Sequence, residues 1–234
     1  MFASQFSGFP AEALQFLANL AANNNKPWFD EYKPDYEKYV LAPARDFVLA
    51  LGAELQVLSP GVGADPRVNK SIFRIYRDVR FSKDKTPYKT NLALWFPAIE
   101  GGEKFNKPGY YFSLEADSLM LGVGIYGFAK PMLKAYRDAV VDPELGPELA
   151  KIAAQTLAKG YGIGEKTYKR TPRGYDPDHE YADLLLYSGL TGGFQTEIPA
   201  ELHSGELVDY CFEKYVDLAP LVHWIEKMKA AAKV

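Results

Sequence analysis

The spacing of the hydrophobic residues changes along the chain, and this change constrains the fold more than any other feature of the sequence. Near both ends, apolar residues recur every three to four positions, which is typical of amphipathic helices. In the middle of the chain they alternate with polar residues, which is typical of strands with one buried face. The pattern predicts an α+β fold: a twisted antiparallel sheet flanked by N-terminal and C-terminal helices.

Several stretches carry the helical spacing. They are residues 10–22, 34–58, 131–141, 149–158 and 205–229. Pro43 lies inside the second of them and should kink it or divide it in two, because proline removes one hydrogen-bond donor and clashes with the preceding turn. A further helix start is predicted at Asp176, whose side chain can cap a helix that begins with Pro177.

The alternating pattern predicts three pairs of strands. Residues 73–81 and 92–96 are expected to form a hairpin with a long loop, and residues 110–116 and 119–126 a tight hairpin that turns at Asp117 and Ser118. A last pair is expected within residues 190–198.

The tight hairpin also has a predicted register. A two-residue turn at Asp117 and Ser118 makes paired positions sum to 235, which places Leu114 opposite Leu121 and Phe112 opposite Val123. We expect these four apolar side chains to point inward.

Length and composition suit one domain covering residues 1–234. The chain is 47% hydrophobic and contains no repeat or flexible linker. Its single cysteine, Cys211, allows no internal disulfide, and the N-terminus carries no secretory signal, so we expect a cytoplasmic protein. No apolar run reaches the about 20 residues of a membrane span. The oligomeric state stays open.

Positive charge is concentrated in residues 67–89, called the basic segment below. This segment holds eight basic and two acidic residues, a net charge of +6, whereas the other 19 basic and 28 acidic residues give −9. The basic residues are Arg67, Lys70, Arg74, Arg77, Arg80, Lys83, Lys85 and Lys89. In a strand, Arg77 would share a face with Ile75 and Val79, so we expect it to be buried and paired with a carboxylate.

Three interpretations of the basic segment are open. Converging guanidinium groups can bind a phosphate or carboxylate bidentately, which is the interpretation that we favour. The same charges could instead form ion pairs along the surface. Nucleic-acid binding is the least favoured, because the net charge of the whole chain is −3.

Four stretches of the sequence are similar to a known family. KSIFRIYRDVRFSKDKTPYKTNLALWFP, NNNKPWFDEYKPDYE, YKRTPRGYDPDHEYADLL and LAPLVHWI together resemble a widespread microbial family of uncharacterised proteins, the domain of unknown function DUF2461. The resemblance extends over nearly the whole chain and implies a single domain. It implies no reaction.

Three other motifs contain residue types that are common in binding sites. Lys26, Trp28, Lys33 and Tyr36 could add cations and an aromatic wall to the anion site, or could simply close a turn between helices with solvated lysines. The glycines at 122, 124 and 127 match the dinucleotide fingerprint, but they lie in a predicted hairpin arm and not in a βαβ unit. The tract from Asp176 to His179 fits a helix cap better than a metal site.

The sequence therefore favours binding of a small anionic metabolite. The ligand-binding candidates are Arg74, Arg77, Arg80, Lys83, Lys85, Lys89, Lys26 and Trp28. Metal-independent acid/base catalysis by Asp78, Tyr88 or His179 is a further hypothesis, and whether the protein is an enzyme stays open. No cofactor and no metal is expected. The alternative function is a non-catalytic module that docks an acidic protein or nucleic acid through the basic segment.

Overall fold

Helices lie near both ends of the chain and five strands lie between them in the computed structural model, which describes residues 6–99 and 107–233. The strands are β1 (Leu92–Pro97), β2 (Gly109–Leu114), β3 (Ser118–Ile125), β4 (Gly162–Ile163) and β5 (Leu190–Glu197). They form an antiparallel, open sheet in the order β1-β2-β3-β5-β4. The predicted α+β class is confirmed.

The helices follow the predicted apolar stripes closely in most places. They are α1 (Ala11–Ala22), α2 (Lys26–Asp35), α3 (Ala42–Leu55), α4 (Lys130–Val140), α5 (Leu145–Ala158) and α6 (Leu207–Ala232), with 3₁₀ helices at Ala182–Leu186 and Ala200–His203. No helix within the described residues is both long enough and apolar enough to cross a membrane.

The second predicted helix begins eight residues earlier than expected. Helix α2 starts at Lys26 because the Asn25 side chain accepts a hydrogen bond from the Trp28 backbone N–H (3.1 Å) and Pro27 occupies the first turn. The cluster of Lys26 and Trp28 therefore lies on a helix, and its assignment to a turn between helices is wrong.

The predicted interruption of this helix is confirmed. Residues Tyr36–Leu41 form a π-helical segment, in which the Ala42 backbone N–H donates to the Glu37 carbonyl, and α3 then carries Pro43 in its first turn. Because Pro43 has no N–H, the preceding turn loses a regular hydrogen bond, and the wider π turn accommodates that loss.

The tight hairpin of β2 and β3 is confirmed, but its register is not. The Glu115 backbone N–H donates to the Ser118 carbonyl (2.9 Å), so the turn is formed by Ala116 and Asp117, one residue earlier than predicted. With the turn one residue earlier, the partner of each residue lies two positions further back on the opposite strand. Because every second residue of a strand shares a face, the same side chains still point inward. The four predicted inward side chains, Phe112, Leu114, Leu121 and Val123, are accordingly all buried.

The strand predicted at residues 73–81 is wrong. Within residues 73–81 Tyr76 alone forms a bridge, with Tyr88, and Ile72 just before this stretch forms another with Leu94. A continuous ladder fails because the Arg77 N–H donates to the carbonyl of Pro87 (2.9 Å), and Pro87 has no N–H to donate in return.

Two further predictions are corrected near the C-terminal end. Asp176 begins a turn and no helix: its carboxylate accepts from the Asp178 N–H (2.9 Å) as a cap would, but the next helical residues are those of the 3₁₀ segment Ala182–Leu186. The expected strand pair within residues 190–198 is one strand, β5, whose Gly192 and Gly193 pair with β4.

The glycines of β3 match this sheet and not a dinucleotide loop. Gly124 has a φ of +107°, and a Cβ at this position would lie 2.0 Å from the Leu190 carbonyl oxygen. Gly124 therefore lets β5 approach β3 closely.

The chain divides into two compact units by its contacts, and the prediction of one continuous domain stays a prediction. The first unit comprises the described residues of Met1–Phe96, Tyr111–Leu121 and Gln195–Glu213, and the second those of Pro97–Tyr110, Gly122–Phe194 and Lys214–Val234. In the first, Phe47 of α3 packs against Phe112 of β2 with ring centroids 4.9 Å apart. In the second, the Trp224 indole N–H of α6 donates to the Leu145 carbonyl of α5 (3.0 Å).

Candidate functional site

The basic segment runs beside β1 in the first unit. The Phe73 N–H donates to the Ala93 carbonyl (3.0 Å), and the Trp95 N–H donates to the Ser71 carbonyl (2.8 Å). These bonds fix the first part of the segment against the sheet. Beyond Tyr76 the chain turns back on itself, so most of its cations lie on the surface.

Helix α2 and the loop before it hold the returning arm of the basic segment. The Asn24 side chain accepts from the Tyr88 backbone N–H (3.0 Å) and donates to the Tyr88 carbonyl (2.9 Å), as a neighbouring strand would. The Phe29 ring of α2 stacks on the Tyr88 ring, with centroids 4.3 Å apart. The structure thus brings the basic segment and the second predicted cluster to one side of the first unit.

The second cluster is partly a packing element. Trp28 stacks on Tyr32 (4.7 Å between centroids) and lies 5.5 Å from the Phe16 ring, which leaves its ring half-buried. Lys33 pairs with Glu37 at 3.7 Å, whereas Lys26 is exposed. Lys26 is therefore the cation of this cluster that has no carboxylate partner among the described residues.

Arg80 is engaged by a carboxylate of its own segment. Its guanidinium donates to both oxygens of Asp78, at 2.9 Å and 2.6 Å, although its side chain is 76% exposed. The hydrogen bonds from Arg80 lower the pKa of the Asp78 carboxyl to about 2. Both groups are thus charged and mutually satisfied at neutral pH.

Arg77 is paired as predicted, but it is less buried than predicted. Its guanidinium lies 2.5 Å from the Asp84 carboxylate and donates to the Thr86 carbonyl at 3.1 Å. The side chain of Arg77 is 27% exposed and that of Asp84 is 59% exposed. The hydrogen bond from the Thr86 backbone N–H and, to a smaller extent, the one from Arg77 lower the pKa of the Asp84 carboxyl to about 2. This is an ion pair at the surface, because the segment is no strand and does not turn Arg77 into the core.

Two more cations of the segment have local acceptors. Arg67 binds the Asp65 carboxylate (2.5 Å), and the Lys85 ammonium donates to the Val79 carbonyl (2.9 Å). Neither cation can bind a ligand without first breaking one of these contacts.

Arg74, Lys83 and Lys89 differ from these cations. Within residues 6–99 and 107–233, none of the three forms an ion pair or a side-chain hydrogen bond to an acceptor. Lys83 and Arg74 are exposed, and Lys89 is half-buried with its ammonium 5.0 Å from the Phe73 ring centre. Burial lowers the pKa of the Lys89 ammonium, and the positive charge of Arg74 lowers it further. Arg74 and Lys89 are therefore neighbouring cations without a counter-charge.

The three catalytic candidates lie in unlike surroundings. Tyr88 is buried between aromatic rings, and this burial raises the pKa of its hydroxyl. Asp78 is bound by Arg80 as described. His179 belongs to the second unit, where its Nδ1 accepts from the Tyr181 backbone N–H (3.1 Å). In the part of the chain that the structure describes, no three Asp, Glu, His or Cys side chains are grouped so that they could hold a metal ion.

Sequence reasoning missed a cavity in the second unit. This open cavity of about 430 Å³ is lined by Lys169, Arg170, Thr171, Pro177, Ala182, Asp183 and Leu186. A signal for it was present in the sequence, because residues 166–173 hold four basic residues and no acidic one. A second open cavity, of about 400 Å³, lies at the β2–β3 turn and is lined by acidic and amide residues such as Glu115 and Glu197.

The fold and the basic segment define an α+β protein that displays unpaired cations beside a packed aromatic surface. The chain belongs to the family described as conserved hypothetical protein (DUF2461), whose model matches residues 12–224. No curated protein matches the sequence.

Proposed function

We propose that the protein recognises an anionic group, a phosphate or a carboxylate, between Arg74 and Lys89. The observation that carries this proposal is the uncompensated pair of neighbouring cations, one of them half-buried. Like charges repel, and partial burial weakens their hydration, so the pair is unfavourable until an anion lies beside it. An anion would gain the bidentate fork of Arg74 and the ammonium of Lys89 together.

The surroundings of the catalytic candidates favour binding over proton transfer. An efficient general acid or base has a pKa near the working pH. The pKa of Asp78 is about 2, and burial raises the pKa of Tyr88 above its ordinary value, which is already far above neutrality. We therefore assign to this surface a binding role without a chemical step.

Titration with inorganic phosphate and with citrate tests the proposal. The chemical shift of the Lys89 side chain should change saturably, and the pKa of Lys89 should rise in the complex because the bound anion stabilises its charged form. Arg74→Lys keeps the charge but removes the fork, and should weaken binding about tenfold.

Arg80→Lys is the matched control, because the Arg80 guanidinium already binds Asp78. This variant should bind the anion as the parent does. Non-saturating shifts, or equal losses in the two variants, would contradict the proposal.

A second function, docking of single-stranded nucleic acid, is favoured by two exposed aromatic rings. Phe81 is 95% exposed and lies 5.8 Å from the Arg80 guanidinium, and Tyr76 is 50% exposed. Exposed rings beside cations can stack with bases while the cations contact the phosphates. In this case, binding of a single-stranded RNA should weaken steeply with salt and should fall on Phe81→Ala, whereas inorganic phosphate should give no saturable signal.

A further inference from the structure

The second unit contains a cavity with one cationic wall and one apolar wall. Its volume of about 430 Å³ is lined by Lys169, Arg170 and Thr171, together called the cationic wall below, and by Pro177, Ala182 and Leu186, called the apolar wall. This volume lies within the range of sites for small organic ligands, which combine apolar surface with a few convergent polar groups.

The cationic wall is not neutralised by the protein. Among the described residues, Lys169 and Arg170 contact no carboxylate, and both side chains are exposed. The one carboxylate of the lining, Asp183, is already paired with Lys166, at 3.0 Å. The charge that the cavity offers to a ligand is therefore positive.

Backbone contacts tie the two walls together. The Thr167 and Tyr168 N–H groups both donate to the Leu186 carbonyl, each at 2.9 Å. The Arg137 guanidinium lies 4.9 Å from the Tyr168 ring centre and so holds that ring from the side of α4. These contacts fix the chain immediately before Lys169 against the end of the apolar wall, which preorganises the cavity.

We infer that this cavity binds a phosphate monoester carried on an apolar body. A phosphate monoester has nearly two negative charges and three acceptor oxygens, which match one guanidinium, one ammonium and one hydroxyl. The apolar body would lie against Ala182 and Leu186. This inference does not depend on the surface at Arg74 and Lys89, which lies in the other unit.

Titration of the ¹⁵N-labelled protein with phenyl phosphate tests the inference by NMR. We expect saturable shifts at the amides of residues 169–171 and 182–186. Arg170→Gln should weaken binding about tenfold, because it removes a charge-assisted contact. Arg173→Gln is the matched control: it makes the same charge change at an exposed arginine that does not line the cavity, and should leave binding unchanged.

Further titrations separate the contributions of the two walls and identify the source of the phosphate group. Inorganic phosphate and benzyl alcohol should each bind at least tenfold more weakly than phenyl phosphate, since each engages one wall. Ala182→Leu should fill the apolar side and abolish the preference for phenyl phosphate over inorganic phosphate. A short phosphotyrosine peptide that binds more tightly than phenyl phosphate would assign the phosphate to a partner protein, and weaker binding would assign it to a free metabolite.

The inference is overturned if phenyl phosphate gives only non-saturating shifts, or if Arg173→Gln weakens binding as much as Arg170→Gln. Arg74→Gln should remove any phenyl phosphate shifts at Arg74 and Lys89 but leave the saturable shifts at residues 169–171 and 182–186 unchanged. Loss of the shifts at residues 169–171 and 182–186 in Arg74→Gln would overturn the inference.

Discussion

Replacing Asn24 by alanine should destabilise the protein by about 2–3 kcal/mol and release the returning arm of the basic segment. The Asn24 side chain makes two hydrogen bonds to the backbone of Tyr88, at 2.9 and 3.0 Å, and these bonds are partly buried. Each such bond contributes about 1 kcal/mol, and a stranded backbone group near a buried residue adds a desolvation cost. Tyr88 is 2% exposed, so water cannot fully replace the lost partner.

Urea unfolding followed by circular dichroism measures this loss. Asn23→Ala is the control, because among the described residues the Asn23 side chain bonds to the exposed Asn19 carbonyl alone. This substitution should change the stability by less than about 0.5 kcal/mol. Asn24→Asp keeps the acceptor for the Tyr88 N–H but loses the donor, so its stability should lie between those of the parent and Asn24→Ala.

Hydrogen exchange supplies a local readout of the same perturbation. The amide of Tyr88 loses its acceptor in Asn24→Ala and should exchange faster, even under conditions where global unfolding is rare. A loss of stability no larger than that of Asn23→Ala, together with unchanged exchange at Tyr88, would refute the reasoning that this side chain holds the segment.

The remaining predictions concern single side chains. Arg77→Ala should lower the free energy of unfolding by much less than the about 3–5 kcal/mol of a broken buried pair, because Asp84 can be hydrated when it is left alone. A loss of about 3–5 kcal/mol, measured by urea unfolding, would contradict this. The Asp78 carboxyl should titrate near pH 2 by NMR, and near its ordinary value in Arg80→Gln. Its depressed pKa means that the associated stability is present above the unfolded-state pKa of about 4 and is lost as the pH falls towards 2. Cys211 is buried and its thiol pKa is raised, so iodoacetamide should modify it at pH 8 only after unfolding; modification of the folded protein would contradict its placement.

The hairpin of β2 and β3 shows what a period-two pattern can and cannot predict. The pattern identified the inward residues correctly, because alternate residues of a strand share a face. It could not distinguish a turn at Ala116 and Asp117 from one at Asp117 and Ser118, since both place apolar residues opposite one another. Only the bond from Glu115 to Ser118 decides between them.

The error at helix α2 has a different cause. The first turns of this helix are polar and contain two prolines, Pro27 and Pro34, so the apolar stripe begins late. A capping signal was nevertheless present, because Asn25 precedes Pro27 as an N-cap residue precedes a first-turn proline. Local capping chemistry would have placed Lys26 and Trp28 on a helix.

In the basic segment, alternation predicted the exposure of the side chains only in part, and it did not predict the hydrogen bonds of the backbone. Ile75 is buried and Tyr76 exposed as expected, but Arg77 is only half-buried and Phe81, predicted on the covered face, is 95% exposed. Besides the missing N–H of Pro87, the side chains of Asp78 and Asp84 oppose a ladder, because they bind backbone N–H groups two residues further on, at 3.2 and 2.9 Å. Such local bonds compete with strand pairing.

The same local bonds explain why a net charge could not identify the site. Asp65 and Asp78 each accept from both the backbone N–H and the guanidinium of the arginine two residues later, so an Asp-x-Arg sequence neutralises its own cation. The net charge of +6 already subtracts Asp78 and Asp84, but it counts Arg67 as free because its partner, Asp65, lies just outside the segment. It also does not show which of the remaining cations are engaged. Arg74 has no aspartate two residues before it, and neither does any cation of residues 166–173. The absence of such an aspartate is necessary for a free cation but not sufficient, because Arg77 and Lys166 also lack one and are still paired, with Asp84 and Asp183. The three-dimensional structure is therefore needed to show that Arg74, Lys169 and Arg170 have no carboxylate partner among the described residues.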